Sequence, residues 1–183
     1  MNREEALESV KANVESGDQI KHMLATEAIM RALARRLGED EGKWGLTGLV
    51  HDIDIELIEG DMNSHSKLGA DLVREMGASE AVTHAVLCHN WRHGIPCETK
   101  LDKALLCSDA VSKLIMAVAT ARPDKKLAGV EVESVSGGFK KKSFAVEADR
   151  QRIEACRELG IELEDYLELG LVAMKGIAEK LGL

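Results

Sequence analysis

Apolar residues along the chain recur at intervals of three and four positions, which is the spacing of amphipathic α-helices. The pattern predicts a first helix capped by Asn2, with Glu5 completing a capping box and Gly17 ending the helix. A second helix is predicted over about 18–37, with Gly38 as its C-terminal cap. Further helices are predicted after Asp40, after Asn63 or Ser64, after Ser79, and over about 101–122, 147–159 and 163–181.

One segment breaks this helical pattern. Residues 124–145 contain a Ser-Gly-Gly sequence and three consecutive lysines, and they predict an irregular excursion with a short strand or extended segment at 130–135. The chain has no internal repeat and no linker that would mark a second domain. We therefore predict a single all-α domain over 1–183, with about seven to nine helices and a C-terminal helical extension over about 147–181.

Several histidines and acids occupy positions where the apolar stripe of a helix predicts a core residue. Four of them lie on four different predicted helices: His22, His65, His89 and Asp109. A fifth predicted helix ends in the adjacent pair His51-Asp52. A single histidine on such a stripe is usually a hydrogen-bonded core residue. Burying all of these groups separately is costly, so together they predict a shared metal site, with a metal-free network of hydrogen bonds as the alternative.

The ordered set His…His-Asp…His…His…Asp resembles the HD-domain superfamily of metal-dependent phosphohydrolases, in the form with six ligands and two metals. The resemblance covers about 19–121, and the whole chain looks like a short stand-alone HD-domain protein of bacterial type. It implies an HD-domain helical bundle in which Asp52 bridges two metals. The metal ligands that the resemblance implies are His22, His51, Asp52, His65, His89 and Asp109.

These ligand types suit the hydrolysis of a phosphate ester. A metal lowers the pKa of bound water from about 15.7 to about 7, and two metals about 3.5–4 Å apart can hold the attacking and leaving oxygens. Imidazoles mixed with carboxylates suit Fe, Mn, Ni or Zn better than Mg, which prefers oxygen ligands. We therefore expect two divalent transition-metal ions, a catalytic role for Asp52, and a small phosphorylated substrate such as a nucleotide.

Two other functions fit the same residues. A minority branch of the superfamily uses the same six ligand types in mixed-valent di-iron oxygenases. A non-catalytic nucleotide-binding protein is the third hypothesis. Aerobic consumption of oxygen, release of phosphate, or tight binding without turnover would distinguish these three functions.

Positive side chains are candidates for binding the phosphate of a substrate. The common continuation of the His-Asp pair in the superfamily is Ile-Gly-Lys, but residues 53–55 are Ile-Asp-Ile, so that lysine is absent. Arg92, Arg122 and Lys142 are the predicted substrate-binding residues, because guanidinium binds phosphate with two hydrogen bonds and ammonium acts as a point charge. A run of charges is nevertheless more often simply solvated.

The residues around the predicted ligands limit which substrates are expected and which further residues belong to the metal site. The loop 90–96 resembles a shortened form of the loop in cyclic-dinucleotide phosphodiesterases of the superfamily, but it lacks their Gly-Tyr-Pro, which disfavours that substrate. Asp54 is either a solvated acid at a helix end or a residue that orients a ligand histidine or accepts a proton. His84 lies off the apolar face of its helix and His93 lies in a polar loop, so both are left out of the metal site.

Composition limits the partners of the chain. Its net charge of −8 argues against long nucleic acids as substrates. The N-terminus has no hydrophobic region of a signal peptide, and the longest apolar run, 114–121, is too short to span a bilayer, so we expect a cytoplasmic protein without membrane contact. The four cysteines form no Cys-x-x-Cys pair and are interpreted as small buried hydrophobic residues in a reducing cytosol. The sequence leaves the oligomeric state open.

Overall fold

The computed structural model describes residues 1–183 and contains ten α-helices and no strands, which confirms the all-α class. The helices are α1 (Arg3–Asn13), α2 (Gly17–Leu37), α3 (Glu41–Val50), α4 (Lys67–Glu75), α5 (Glu80–Cys88), α6 (Lys100–Thr120), α7 (Val132–Lys140), α8 (Arg150–Glu154), α9 (Leu163–Lys175) and α10 (Ala178–Leu181). Short 3-10 turns occupy Trp91–His93, Leu127–Gly129 and Ala155–Leu159.

The two longest helices, α2 and α6, pack against each other and against α9, and α3 packs along α2. The backbones of α2 and α3 lie very close, since a Cβ added at Gly48 would be 2.9 Å from the backbone nitrogen of Glu27. A Cβ added at Gly170 in α9 would be 3.1 Å from Ile115 Cδ1 in α6. Glycine at these two positions therefore lets the helices that surround the site approach one another closely.

Two of the predicted helix starts are correct because their capping residues act as expected, whereas α4 begins at Lys67, later than the predicted caps Asn63 and Ser64. Asn2 and Glu5 form the predicted capping box, and Asp40 caps α3. The start of α2 differs by one residue, because Ser16 is its N-cap and Gly17 its first residue. Gly17 thus begins the second helix instead of ending the first.

Residues 124–145 are irregular only in part. Val132–Lys140 forms helix α7, so the predicted strand at 130–135 is wrong. Val130 and Val135 are both fully buried in the apolar core. Within α7, burial of Val135 offsets the low helix propensity of the two glycines, and this tertiary effect was not visible in the local pattern.

One side chain holds much of the segment between α7 and α8. Six backbone carbonyl oxygens lie 2.5 to 3.3 Å from the guanidinium nitrogens of Arg150, whose five N–H groups donate to them, with Nη2 shared among three acceptors. The acceptors are the carbonyl oxygens of Gly138, Phe139, Lys141, Phe144, Ala145 and Ala148. Because a side chain satisfies these backbone groups, the segment keeps a defined path without forming a helix.

The C-terminal extension is more divided than predicted. Helix α8 continues into a 3-10 turn, and the predicted helix over 163–181 consists of α9 and α10, which Gly176 and Ile177 separate. One apolar cluster contains residues from Ala6 to Leu181, and the single domain stays a prediction. None of the helices combines the length and apolar character that a membrane crossing requires.

Candidate metal centre

The pair His51-Asp52 lies where α3 ends. Val50 is the last residue of α3, His51 is its C-cap, and the chain continues in a series of turns. Because the helix stops here, the two adjacent side chains can face the same space, whereas within a helix they would diverge by about 100°. His51 is fully buried, and its Nδ1 donates a hydrogen bond to the carbonyl oxygen of Gly48 at 2.8 Å.

The Asp52 carboxylate lies at the centre of the site, with two histidines near each oxygen. Oδ2 is 3.6 Å from Nε2 of His22 and 3.3 Å from Nε2 of His51. Oδ1 is 3.4 Å from Nε2 of His65 and 3.1 Å from Nε2 of His89. Asp52 therefore connects two pairs of imidazoles that come from separate parts of the chain.

Asp109, in the middle of α6, completes one side of the centre. Its Oδ1 is 3.1 Å from Nε2 of His22 and 3.7 Å from Nε2 of His51. The six side chains form two groups, within each of which the potential ligand atoms lie within 4.8 Å of one another. We call them the His22 cluster (His22, His51, Asp52, Asp109) and the His65 cluster (Asp52, His65, His89). The structure thus brings together all six residues that the sequence analysis selected.

Hydrogen bonds at Nδ1 orient the histidines so that Nε2 faces the carboxylates. Nδ1 of His89 donates to the carbonyl oxygen of Val86. Nδ1 of His22 lies 3.0 Å from Ser112 Oγ, and this hydroxyl donates to the carbonyl oxygen of Asp109 at 2.8 Å. The hydroxyl therefore accepts a hydrogen bond from the protonated Nδ1 of His22, which leaves Nε2 available as a ligand atom.

Asp54 holds the remaining histidine, His65, and is fully buried. Oδ1 of Asp54 accepts a hydrogen bond from Nδ1 of His65 at 2.9 Å. Oδ2 accepts from the backbone nitrogens of Ser66 and Gly69 at 2.7 and 2.9 Å. Of the two hypotheses for Asp54, the buried position favours the orientation of a histidine over a solvated acid.

His65 does not lie on the stripe of a helix, as the sequence analysis expected. Helix α4 begins at Lys67, so His65 belongs to the turns before it. Ser66 has a left-handed backbone with φ of 67°, which is costly for a residue other than glycine. Its hydrogen bonds, from the backbone nitrogen to Asp54 and from Oγ to the carbonyl oxygen of Leu87, stabilise this conformation.

Two residues of the loop after α5 hold the backbone of His65. Nε2 of His93 donates to the carbonyl oxygen of His65 at 2.6 Å, and Nδ2 of Asn90 donates to the same oxygen at 3.1 Å. His93 therefore lies outside the centre, as predicted, but it contacts the segment that positions one of the six side chains.

Several buried polar atoms of the centre have no hydrogen-bond partner in the protein. They are Nε2 of His22, Nε2 of His51 and Oδ1 of Asp109, although Oδ1 of Asp109 forms an ion pair with Lys113 at 2.6 Å. Burial would raise the pKa of Asp52, but the charge of His51 together with hydrogen bonds from His22, His51 and His65 holds that pKa well below its usual range. Burial lowers the pKa of His51, but the charges of Asp52 and Asp109 raise it to about 10. Unpaired ligand atoms around negative carboxylates would be satisfied by a bound cation, so these residues fit a metal.

Two cations that the sequence analysis missed lie at the edge of the centre. Nζ of Lys113 is 2.6 Å from Oδ1 of Asp109, and Nη1 of Arg152 is 3.4 Å from Oδ2 of Asp109. Burial would lower the pKa of Lys113, but the charges of Asp109 and Asp52 outweigh it and raise that pKa. Lys113 follows Asp109 by four residues on α6, and oppositely charged residues at this spacing are neighbours on a helix, so the sequence alone could have predicted this pair. Arg152 comes from α8 and has no such local signal.

The three predicted substrate-binding residues make no hydrogen bond or ion pair with the six side chains of the centre. The backbone nitrogen of Arg92 donates a hydrogen bond to Asn90 Oδ1. Arg122 pairs with Asp124 at 3.0 Å, beyond the end of α6, which is roughly 16 Å along the helix from Asp109. The structure therefore does not support Arg122 as a residue of this site, whereas Arg92 and Lys142 stay predictions.

The fold and the paired clusters agree with a comparison against protein families. The chain matches the sequence model of the HD domain over residues 20–126, which is more than half of its length. The chain therefore belongs to the HD domain family. HD domains bind divalent metals, and both clusters described above lie within the matched residues.

The curated relatives that match the chain include several proteins named ribonuclease Y. The protein from Lawsonia intracellularis is 28% identical over 142 residues, which cover 72% of this chain and 26% of that protein. The protein from Geobacter sulfurreducens is 27% identical over 172 residues, which cover 88% of this chain and 30% of that protein. The chain thus corresponds to between a quarter and a third of the length of these relatives. No solved structure matches it.

Proposed function

We propose that the chain is a metal-dependent phosphohydrolase that cleaves a small phosphate ester with a pair of divalent transition-metal ions. The observation that carries the proposal is the position of Asp52, whose two oxygens face two different pairs of buried histidines. Asp52 would bridge the ions, with the remaining ligands of each ion supplied by the His22 cluster and the His65 cluster. Membership of the HD domain family supports the same class of reaction.

The donor atoms narrow the choice of metal. Four imidazole nitrogens and two carboxylates suit Fe, Mn, Ni or Zn better than Mg. When bound, such ions supply an activated water and neutralise charge on the phosphate. The protein itself holds the four Nε2 atoms in place through the hydrogen bonds at Nδ1, among which the carboxylate of Asp54 is the only charged partner.

Lys113 and Arg152 are the proposed phosphate-binding residues. The side chain of Lys113 is 33% exposed, so it extends from the buried carboxylate of Asp109 toward solvent. A guanidinium binds phosphate with two hydrogen bonds, and an ammonium acts as a point charge. A substrate phosphate beside the centre would therefore contact two cations at its edge. The sequence analysis had proposed Arg92, Arg122 and Lys142 for this role.

The relatives favour a ribonucleotide as the substrate. Their name describes ribonucleases, and the matched part is a quarter to a third of each of them. A phosphodiester between ribonucleotides is accordingly the second candidate substrate. The net charge of −8 opposes the attraction of a long polyanion, so we propose a nucleotide or a short oligoribonucleotide rather than long RNA.

Reconstitution of metal-free protein with Mn, Fe, Ni or Zn tests the proposed function. Each form is incubated with a panel of nucleotides and short oligoribonucleotides, and phosphate release, strand cleavage and oxygen uptake are measured. Hydrolysis with at least one metal supports the proposal. Oxygen uptake without phosphate release favours the oxygenase, and nucleotide binding without turnover favours a non-catalytic protein.

Replacing Lys113 by glutamine should raise the KM for the phosphate ester by about tenfold. A charge-assisted hydrogen bond contributes about 1.5–3 kcal/mol, and about 1.4 kcal/mol corresponds to a factor of ten. Steady-state kinetics of the metal-loaded variant measure this change. Lys100→Gln is the matched control on the same helix, because Lys100 pairs with Glu39 at 2.8 Å and should leave KM unchanged. An unaltered KM in Lys113→Gln would exclude the proposed contact with phosphate.

A further inference from the structure

A second group of potential metal ligands lies between the end of α5 and the start of α6. It consists of His84, Cys88, Cys97 and Asp102, which we call the thiol cluster. From its geometry we propose that the thiol cluster binds one Zn²⁺ ion, separate from the metal centre and independent of the proposed function. The sequence analysis had left His84 out of any site and had interpreted the cysteines as small core residues.

The two cysteines of the thiol cluster are in direct contact. The Sγ atoms of Cys88 and Cys97 are 3.1 Å apart, and Sγ of Cys97 is 3.4 Å from the carbonyl oxygen of Cys88. His84 precedes Cys88 by four residues on α5, so both side chains lie on the same face of that helix. Cys97 comes from the loop that leads to α6. Two segments of the chain thus bring three potential ligands together.

Asp102 supplies an oxygen that no protein group satisfies. Asp102 is fully buried, and its Oδ2 accepts hydrogen bonds from the backbone nitrogens of Glu98 and Thr99 at 3.1 and 2.9 Å. Oδ1 is buried and has no hydrogen-bond partner, and the same is true of Nδ1 of His84. Nδ1 of His84 lies 3.2 Å from Oδ2 of Asp102. Oδ1 of Asp102 and Nδ1 of His84, neither of which makes a hydrogen bond, therefore lie at the cluster that also contains the thiols.

The distances suit a tetrahedral ion. Zinc lies about 2.3 Å from sulfur and about 2.0–2.1 Å from histidine nitrogen, which places a nitrogen and an oxygen ligand about 3.3 Å apart and two sulfur ligands about 3.8 Å apart. The potential ligand atoms of His84, Cys88 and Asp102 already lie within 4.8 Å of one another, and Nδ1 of His84 is 3.2 Å from the Asp102 carboxylate at Oδ2. Sγ of Cys97 lies outside this group, so it has to move toward His84 and Asp102, and the two sulfur atoms need to separate by less than about 1 Å from 3.1 Å. Two thiolates select zinc over the harder metals that oxygen and imidazole ligands accept.

A closed set of four protein ligands is typical of a structural zinc site. The ion would connect the last turn of α5 to the first turn of α6 and to the loop between them. Cys88 directly precedes His89, so the proposed ion would also restrain the segment that carries one histidine of the metal centre. The side chain of His84 is 40% exposed, which leaves a route by which an ion can reach the cluster.

Cobalt titration of the full chain tests this proposal, because Co²⁺ bound to thiolate gives a charge-transfer band that Co²⁺ bound to histidine and carboxylate lacks. Metal-free protein with reduced thiols should develop this band on addition of Co²⁺, and Zn²⁺ should displace it. The band should be lost in the Cys88→Ser/Cys97→Ser variant. His84→Ala should keep the band but weaken Co²⁺ binding at least about tenfold.

Two control variants separate the thiol cluster from the other cysteines and from the metal centre. Cys156→Ala removes a buried cysteine outside the cluster and should leave the band unchanged. Asp52→Ala should also retain the band. Absence of the band in reduced wild-type protein, or its persistence when both Cys88 and Cys97 are replaced, would overturn the proposal. If the double variant does not fold, the single variant Cys97→Ser provides the same test, because Cys97 is only half-buried and its replacement should disturb the fold little. Its charge-transfer band should be weaker than that of the wild type.

Discussion

Replacing Asp52 by alanine should remove most of the metal bound at the centre and lower hydrolysis by at least about 100-fold. The substitution takes a ligand from both the His22 cluster and the His65 cluster at once. Loss of a residue that only orients a ligand typically costs about 10–100-fold in metal affinity or activity, so loss of a shared ligand should cost at least as much. Elemental analysis of the purified variant and phosphate release after reconstitution measure the two effects.

The matched control for Asp52 is Asp71→Ala. Asp71 is exposed and pairs with Arg74 at 2.8 Å, so its replacement should change neither metal content nor turnover. Circular dichroism establishes that the Asp52→Ala variant is folded. A folded variant that holds as much metal as the wild type would contradict the bridging role of Asp52.

Replacing Asp54 by alanine should destabilise the fold by about 2–4 kcal/mol and empty one half of the metal centre. The variant leaves Nδ1 of His65 and the backbone nitrogens of Ser66 and Gly69 without their acceptor in a buried position. His65 then loses its orientation, whereas the His22 cluster keeps all of its hydrogen bonds. We therefore expect about one ion per chain in place of two, with urea unfolding reporting the loss of stability.

Asp18→Ala is the control for this second prediction. Asp18 is highly exposed and pairs with Lys21 at 3.4 Å, so its loss should change stability by no more than about 0.5 kcal/mol. If Asp54→Ala were as stable as the wild type, the buried hydrogen bonds would contribute little. Equal loss of both ions would contradict the division of the centre into two clusters.

The residues of the centre could be selected from sequence because most of them interrupt a strong helical pattern. His22 and Asp109 lie on the buried faces of the two longest helices, and His51-Asp52 ends a third. Each is a polar residue at a position that predicts a core residue. His65 was selected for the wrong local reason, since the turns before α4, rather than a helical stripe, position it.

Other parts of the site depend on contacts between distant segments. Arg152 reaches Asp109 across 43 positions of the chain, and Ser112 contacts His22 across 90. The thiol cluster was missed because Cys88 and Cys97 belong to different segments and have no metal-binding motif. Arg122 was assigned to the site from its charge, but its partner is the nearby Asp124.

The sequence by itself determined where several of the helices begin, which of their faces are apolar, and most of the polar residues that those faces bury. These properties depend on interactions within a few residues, such as the capping box of Asn2 and Glu5, and local patterns contain them. Only the tertiary structure decided that two histidines face each oxygen of Asp52 and that Lys113 and Arg152 flank Asp109. The physical reason is that helix packing and hydrogen bonds at Nδ1 set the directions in which these side chains point, and both join residues far apart in the chain.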